Sequence, residues 1–370
     1  MIVTSATQQL SDIGVSIWLD DLSRDRLTSG SLASLMADHN VVGVTSNPTI
    51  FAGSLAGSDA YTADIRARAA EGLGAEEAAF AVMVSDVQGA CDLLKEVFDQ
   101  TEGQDGRVSL EVSPTLAHDT KGTVAQAKDL WGRVGRDNLM VKIPATLEGL
   151  PAIAEVIASG ISVNVTLIFS LDRYRQVIEA YFEGIAQAKA NGHDIGRIRS
   201  VASFFVSRVD AAVDARLEDI GTDEALALKS RAAIANARLA YELFSELHSS
   251  PAAQELAGAG MHPQRPLWAS TGVKDPALPE ALYVTELAAP ETVNTMPEKT
   301  LRATARDGGV AGDRVSQEAE ESKKVLSALA DLGISLQDIT SELERDGVAK
   351  FIASWHELLD TVTHAMAAES

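Results

Sequence analysis

A lysine lies in the middle of an apolar run that is typical of a β-strand. Lys142 falls within Asn138–Thr146, and the alternation of strand side chains puts it on the same face as Met140. Lysine is almost never fully buried unless it is paired or has a function. An amine in a dry pocket is less readily protonated, so it can attack a carbonyl carbon and form a Schiff base. The alternative at this position is a lysine at a strand end whose ammonium reaches water.

Five further strand-like runs carry polar side chains where apolar ones are expected, each shortly before a turn or helix signal. These runs supply Asp20, then Thr45 with Asn47, then Glu111, then Asn164 with Thr166, and finally Ser203 with Arg208. Six strands that all deliver polar groups near their carboxyl ends predict one shared pocket.

Each of these residues also has a purely structural interpretation. Asp20 and Glu111 could form a satisfied charge network with the lysine. Asn47 could be a turn residue before Pro48, and Thr166 could simply be a residue that favours strands.

The composition excludes several classes of protein. The chain has 370 residues, 46% of them hydrophobic, which is enough for one large domain or two ordinary ones. Its net charge of −22 argues against nucleic acid and anionic membranes as partners. An anionic substrate would therefore need local positive charge, for which Lys142, Arg208 and Lys274 are the available strand-end cations.

Sequence features also bear on the compartment in which the protein works. No run of about 18 apolar residues exists, so we expect no membrane span. The amino terminus lacks the basic start and apolar stretch of a secretory signal. A single cysteine, Cys91, cannot form an internal disulfide, which fits the cytoplasm. Both a monomer and a homodimer stay open.

Strand-like and helix-like segments alternate along the chain. Eight strands are predicted, at 15–20, 41–45, 108–112, 139–143, 161–167, 199–206, 266–270 and 282–287, with helical patterns between them. This alternation predicts a parallel sheet of βαβ units, and eight units predict a (β/α)₈ TIM barrel. An open, doubly wound sheet is the structural alternative. In a barrel the catalytic groups sit at the carboxyl ends of the strands, where the unusual polar residues fall.

The chain is longer than the roughly 250 residues of a typical barrel, and the surplus is helical. We expect a single barrel domain over 1–370 with a helical excursion at 48–106, which includes a strong helix at 75–98. One long helix is predicted at 222–247, and two C-terminal helices, split near Gly333, at 313–368.

Other kinds of chemistry find little support. The seven histidines are scattered without metal-ligand spacing, and the chain has no thiolate cluster. No GxGxxG motif follows a strand, and no GxSxG motif is present. We therefore expect neither metal nor organic cofactor. A lysine with two carboxylates and two asparagines is equipment for carbonyl and aldol chemistry.

Taken together and in order, these motifs resemble the transaldolases of the pentose phosphate pathway over nearly the whole chain. The resemblance rests on Trp18–Asp20, Thr45–Thr49, Leu110–Val112, Val141–Pro144, Glu148–Gly149, Ile161–Ser170 and Ser203–Arg208. Two later stretches, Trp268–Lys274 and Thr292–Pro297, are similar to the longer bacterial branch of the family. The family implies transfer of a dihydroxyacetone unit between sugar phosphates.

The resemblance also implies catalytic roles. Lys142 matches the lysine that forms a Schiff base with C2 of a ketose phosphate. Glu111 matches the carboxylate that shuttles protons through a water, and Thr166 matches the residue that holds this water. Asp20 matches the base that removes the C4 hydroxyl proton, after which the C3–C4 bond breaks.

Substrate-binding roles follow from the same resemblance. Asn47 and Asn164 match the residues that bond the retained three-carbon fragment, and Ser203 matches a contact to its terminal hydroxyl. Arg208 matches a phosphate ligand. The chain departs from many relatives after the seventh strand, where Lys274 is the candidate for a second phosphate-binding cation.

Two alternatives to transfer stay open. Phe205 would face the site. Relatives that act as simple aldolases on fructose 6-phosphate have tyrosine at the matching position. An apolar ring there favours transfer, because it helps to exclude water from the intermediate. A class I aldolase that releases the three-carbon unit is the second hypothesis, and a sugar-phosphate-binding barrel without activity is the third.

Overall fold

The computed structural model describes residues 5–310 and 312–367. Within them, eight parallel strands close into a barrel in sequence order. The strands are β1 Val15–Asp20, β2 Val41–Thr45, β3 Arg107–Glu111, β4 Leu139–Pro144, β5 Val163–Ile168, β6 Ser200–Phe205, β7 Arg265–Ala269 and β8 Thr292–Met296. The (β/α)₈ barrel predicted from the sequence is therefore confirmed, and the open sheet is excluded.

Helices surround the barrel. They are α1 Ala6–Ile13, α2 Arg24–Thr28, α3 Ser31–His39, α4 Pro48–Ala56, α5 Thr62–Ala70, α6 Ala75–Leu93, α7 Lys95–Gln100, α8 Thr120–Val134, α9 Gly149–Ala158, α10 Leu171–Ala190, α11 Ser207–Ile220, α12 Asp223–Leu226, α13 Ala232–His248, α14 Pro251–Gly258, α15 Leu282–Glu286, α16 Glu298–Asp307, α17 Ala319–Asp331 and α18 Leu336–Ala367. Short 3-10 turns lie at Asp59–Tyr61, Pro114–Leu116 and Ile195–Arg197.

The eighth strand is not where the sequence predicted it. Residues 282–287, expected as a strand, form α15 and its end, and β8 lies ten residues later at Thr292–Met296. Tyrosine, valine and threonine in the earlier segment favour strands only weakly, and tertiary packing overrode that preference. Tyr283 instead reaches Asp210 from the helix, with its hydroxyl 2.8 Å from Asp210 Oδ2.

Two predicted helices are broken in the structure. The expected single helix at 222–247 is two helices, α12 and α13, separated by a turn in which Ser230 has a φ of 60°. The carboxylate of Asp214 holds that turn, because it accepts hydrogen bonds from the Ser230 backbone and hydroxyl. The helix expected at 75–98 ends at Leu93, and α7 continues after Leu94.

Charged residues close the amino-terminal end of the barrel. Arg265 donates to Ser16 Oγ at 2.7 Å and pairs with Asp105 at 3.0 Å. Trp18 Nε1 donates to the same carboxylate at 3.2 Å. Because a buried charge is costly unless it is paired, this network favours one alignment of β1, β7 and the segment before β3.

The last helix, α18, packs on the opposite end of the barrel. It contacts α4, α5, α6, α11 and β5, so it lies across the carboxyl ends of the strands. Gly347 is the point of close approach, because a Cβ at this position would lie 2.9 Å from Leu167 Cδ2. Leu167 itself has a φ of 60°, a left-handed conformation that costs a residue with a Cβ about 1–2 kcal/mol.

Candidate active site

A cavity of about 150 Å³ opens at the carboxyl ends of the barrel strands. Eight of the ten residues predicted for the site line it, namely Asp20, Asn47, Lys142, Thr166, Ser203, Phe205, Arg208 and Lys274. The other two, Glu111 and Asn164, lie beneath the lining and are in contact with it. The six strands singled out in the sequence therefore do converge on one pocket.

Lys142 is buried between two polar neighbours on the inner face of the barrel. The strand register pairs it with Glu111 on one side and Asn164 on the other. Its side chain is only 5% exposed, and Nζ lies 3.2 Å from Glu111 Oε2 and donates to the Ser46 carbonyl at 3.1 Å. The solvent-reaching lysine considered from the sequence is thereby excluded, and the amine lies at the cavity wall.

The two carboxylates near the amine are both held closer to their protonated forms than usual. Burial raises the pKa of Asp20, and the nearby Lys142 ammonium only partly offsets it. Burial likewise raises the pKa of Glu111, again offset by Lys142, while the charge of Asp20 raises it further. Two acids with raised pKa values beside one amine are suited to proton transfer.

Asp20 is oriented by hydroxyl groups from neighbouring strands. Thr45 Oγ1 donates to Asp20 Oδ1 at 2.7 Å and lies 2.6 Å from Thr295 Oγ1. The β1–β2 register places Asp20 directly beside Thr45. This chain of hydroxyls fixes the carboxylate at the cavity wall.

Amide side chains complete the inner layer. Asn164 donates to Ser109 Oγ at 3.0 Å and accepts from Ser203 Oγ at 2.7 Å, so both ends of its amide are oriented. Asn47 caps α4, because its Oδ1 accepts from the Ile50 backbone at 2.9 Å. The turn role considered for Asn47 is real, and the residue lines the cavity as well.

Cations lie at the outer part of the cavity. Arg208, at the start of α11, has its guanidinium carbon 5.3 Å from the ring centre of Phe205. It forms no ion pair within the described part of the chain, and the carboxylates of Asp210 and Asp214 on the same helix accept hydrogen bonds from Ala233 and Ser230 instead. Burial lowers the pKa of Arg208, and Asp20 partly compensates. Lys274 is exposed at the rim.

Two buried polar atoms in the site have no hydrogen-bond partner among the described residues. They are Thr166 Oγ1 and Glu111 Oε2, the second of which is ion-paired with Lys142 but accepts no hydrogen bond. Thr166 directly precedes Leu167, whose left-handed backbone interrupts the β5–β6 register. Unpartnered buried polar atoms are rare, and they mark places where a small polar molecule can bind.

The sequence did not reveal every residue that lines the cavity. Thr295 was missed because the eighth strand was predicted too early, although its motif was noted as part of the resemblance. Phe351, on α18, also lines the cavity, and its helical periodicity shows only that it is buried. No local pattern indicates which surface of a barrel a C-terminal helix covers.

Larger cavities exist elsewhere on the protein. One of about 430 Å³ lies at the amino-terminal end of the barrel beside Arg107 and Trp131. Barrel enzymes carry their chemistry at the other end, where the lysine and both carboxylates are.

Within residues 5–310 and 312–367, no group of three or more His, Cys, Asp or Glu side chains could hold a metal ion. In the same residues, no helix is long and apolar enough to cross a membrane.

Comparison with known proteins now decides the family. A family model described as Transaldolase/Fructose-6-phosphate aldolase matches residues 17–362. The chain belongs to the transaldolase/fructose-6-phosphate aldolase family. The resemblance found in the sequence motifs is therefore confirmed.

Relatives in this family match the chain from end to end. A protein named transaldolase from Arthrobacter sp. (strain FB24) is 58% identical over 99% of this chain and 98% of its own length. A transaldolase from Thermobifida fusca (strain YX) is 56% identical over 99% of this chain and 100% of its own length. A transaldolase from Renibacterium salmoninarum is 56% identical over 98% and 97%. The expectation that the chain is an enzyme of the transaldolase class is thereby confirmed.

Proposed function

We propose that this protein transfers a dihydroxyacetone unit from a ketose phosphate to an aldose phosphate through a Schiff base on Lys142. The donor would be sedoheptulose 7-phosphate or fructose 6-phosphate, and the acceptor glyceraldehyde 3-phosphate or erythrose 4-phosphate, as in the non-oxidative pentose phosphate pathway. One observation carries the proposal. The amine of Lys142 is buried at the wall of a polar cavity, 3.2 Å from one carboxylate and within the field of another.

The first step forms the covalent adduct. Lys142 first gives its ammonium proton to a neighbouring carboxylate; its amine then attacks C2 of the donor, and the resulting carbinolamine loses water to give an iminium ion. Glu111 would move the protons through a water that Thr166 holds. The unpartnered Glu111 Oε2 and Thr166 Oγ1 support this role, since each has a hydrogen-bonding position to offer.

The second step breaks the carbon chain. Asp20 would take the proton from the C4 hydroxyl, so that the C3–C4 bond breaks and its electrons pass to the iminium. The raised pKa of Asp20 supports this role, because it makes the carboxylate a better proton acceptor than an exposed one. An aldose phosphate leaves, and a three-carbon enamine stays on the lysine. The same carboxylate would return a proton when the acceptor aldehyde is attacked.

Binding of the sugar phosphate would use the remaining polar groups. Asn47, Asn164 and Ser203 are proposed to bond the retained fragment, whose hydroxyls need both donors and acceptors. Arg208 is proposed to bind the phosphate, because its planar fork suits phosphate oxygens and no carboxylate of the described chain occupies it. Lys274, exposed at the rim, is the candidate for a second cation.

Transfer is favoured over simple release. The relatives described above carry the name transaldolase, and Phe205 presents an apolar ring to the cavity. Excluding water from the enamine slows its hydrolysis.

We propose that no metal or organic cofactor takes part, because the lysine itself supplies the electron sink. The buried Cys91, whose pKa burial raises to about 12, suits a protein of the cytoplasm.

A turnover assay tests the function as a whole. The protein would be given fructose 6-phosphate with erythrose 4-phosphate, and separately fructose 6-phosphate alone. The proposal predicts rapid formation of sedoheptulose 7-phosphate with the acceptor and much slower formation of free dihydroxyacetone without it. Equal rates of dihydroxyacetone formation would indicate an aldolase instead. No turnover of either mixture would favour a binding protein.

A further inference from the structure

An aromatic ring from the last helix lies beside the buried amine. Phe351 of α18 lines the cavity and is only 4% exposed. The centre of its ring is 5.8 Å from Lys142 Nζ. Most other side chains of the lining are polar, so Phe351 makes one wall of the space next to the lysine apolar. A ring at this distance also attracts a cation, such as an iminium nitrogen.

Close packing fixes the height of this ring above the barrel. Gly347, one turn before Phe351, rests on Leu167, and a Cβ at this position would lie 2.9 Å from Leu167 Cδ2 and push that side chain aside. One turn after Phe351, Trp355 packs against Phe80 with their ring centres 5.0 Å apart. Because contacts on both sides hold α18 against the barrel mouth, the ring of Phe351 has a defined position at the cavity.

We propose that Phe351 determines reaction specificity, because it keeps water away from the three-carbon intermediate on Lys142 and so favours transfer over release. This inference rests on the proposed Schiff base. It adds a second apolar wall to that of Phe205, which comes from β6 and packs against Phe169 with their ring centres 5.0 Å apart. The two rings come from different elements, so each can be varied separately.

The two fates of the enamine differ in what reacts with C3. In transfer, C3 of the enamine attacks the acceptor aldehyde, a C–C bond forms, and the aldehyde oxygen takes a proton. Water then adds to C2 of the new iminium ion, the C2–N bond breaks, and the ketose product leaves. In release, C3 takes a proton, water adds to C2 of the iminium ion, and the C2–N bond breaks. Dihydroxyacetone then leaves and Lys142 regains its amine. Both fates end with water at C2, but only release needs a proton at C3, so an apolar wall that keeps proton-donating water from the enamine changes the ratio of the two rates.

The test compares release with transfer in variants of α18. Fructose 6-phosphate is the donor, and glyceraldehyde 3-phosphate formation is measured with and without erythrose 4-phosphate. Phe351→Ala should raise the ratio of release to transfer by about tenfold, the rate equivalent of a modest desolvation effect. Phe351→Leu keeps an apolar wall and should leave the ratio near that of the unmodified protein. Phe351→Val should fall between them, and it serves as the test if the alanine variant does not fold.

His356→Ala is the matched control, because it removes an exposed ring from the same helix and no side chain from the cavity lining. Its ratio should not change. An unchanged ratio in Phe351→Ala, or an equal rise in His356→Ala, would overturn the inference. Borohydride trapping separates this failure from that of the proposed function. If the donor is trapped on Lys142 and the ratio is insensitive to Phe351, only the inference fails.

Discussion

At the scale of single residues, two carboxylates share one amine but have different surroundings. Asp20 lines the cavity and accepts a hydrogen bond from Thr45. Glu111 lies beneath the lining, where its Oε2 faces Lys142 without accepting a hydrogen bond. Different environments allow two acids to take different tasks, which the sequence alone could not separate from a satisfied charge network.

Replacing each carboxylate by its amide should block a different step. Glu111→Gln and Asp20→Asn should each slow turnover by about 10²–10⁴, the usual contribution of positioned acid–base catalysis. Glu111→Gln should slow formation of the borohydride-trapped adduct. Asp20→Asn should form the adduct but not release aldose phosphate. Single-turnover kinetics distinguish the two, and an unchanged rate in either variant would assign that residue a structural role alone.

Arg208 offers a second prediction at this scale, because its half-buried side chain forms no ion pair with a carboxylate of the described chain. Arg208→Ala should lower kcat/KM for phosphorylated donors by the equivalent of about 1.5–3 kcal/mol, the value of a hydrogen bond to a charged group. Unphosphorylated dihydroxyacetone should lose much less as donor. Equal losses for both would show that Arg208 supports the fold. Lys274→Ala in parallel reports whether the rim lysine also binds the phosphate.

At the scale of elements, Asp210 links three helices behind the site. Its carboxylate accepts from the Ala233 backbone at 2.7 Å and from Tyr283 at 2.8 Å, which joins α11 to α13 and α15. Burial raises the pKa of Asp210 from 3.8 to about 6, and the two donors only partly offset it. The ionised form is therefore disfavoured in the folded protein.

This shift predicts a particular dependence of stability on pH. A carboxyl whose pKa is raised on folding binds more protons in the folded than in the unfolded state between pH 4 and pH 6. The stability that such a group contributes is fully present below pH 4 and is lost as the pH rises through 6. The free energy of unfolding changes by about 3 kcal/mol over this range. The free energy of unfolding of Asp210→Asn, minus that of the unmodified protein, should therefore rise by about 3 kcal/mol between pH 4 and pH 7. Denaturant unfolding at a series of pH values measures this difference, and a constant difference would contradict the assignment.

Most elements could be predicted from the sequence, and the errors have physical causes. The strands that carry the chemistry were found because buried runs with polar ends are unusual patterns. The eighth strand was missed because Leu282–Leu287 has a strand-like composition while a distant contact, Tyr283 to Asp210, holds it as a helix. The helix predicted at 222–247 is interrupted because Asp214 binds the Ser230 turn, a long-range contact without a local signal.

At the scale of the whole molecule, an acidic protein carries its proposed anion-binding groups in one place. The net charge is −22, yet Lys142, Arg208 and Lys274 meet at one cavity. Their placement could be predicted because parallel strands of a barrel end at the same face. The position of α18 could not, because it depends on the fit of Gly347 to Leu167. That the 370 residues act as one domain stays a prediction.

The central claim is that the donor sugar is held covalently by Lys142. Borohydride reduction in the presence of fructose 6-phosphate, followed by peptide mapping, tests it most directly. The account predicts a stable adduct on the peptide that contains Lys142, and none in Lys142→Ala, which should also lack turnover. An adduct on another lysine, or full activity without Lys142, would contradict the account.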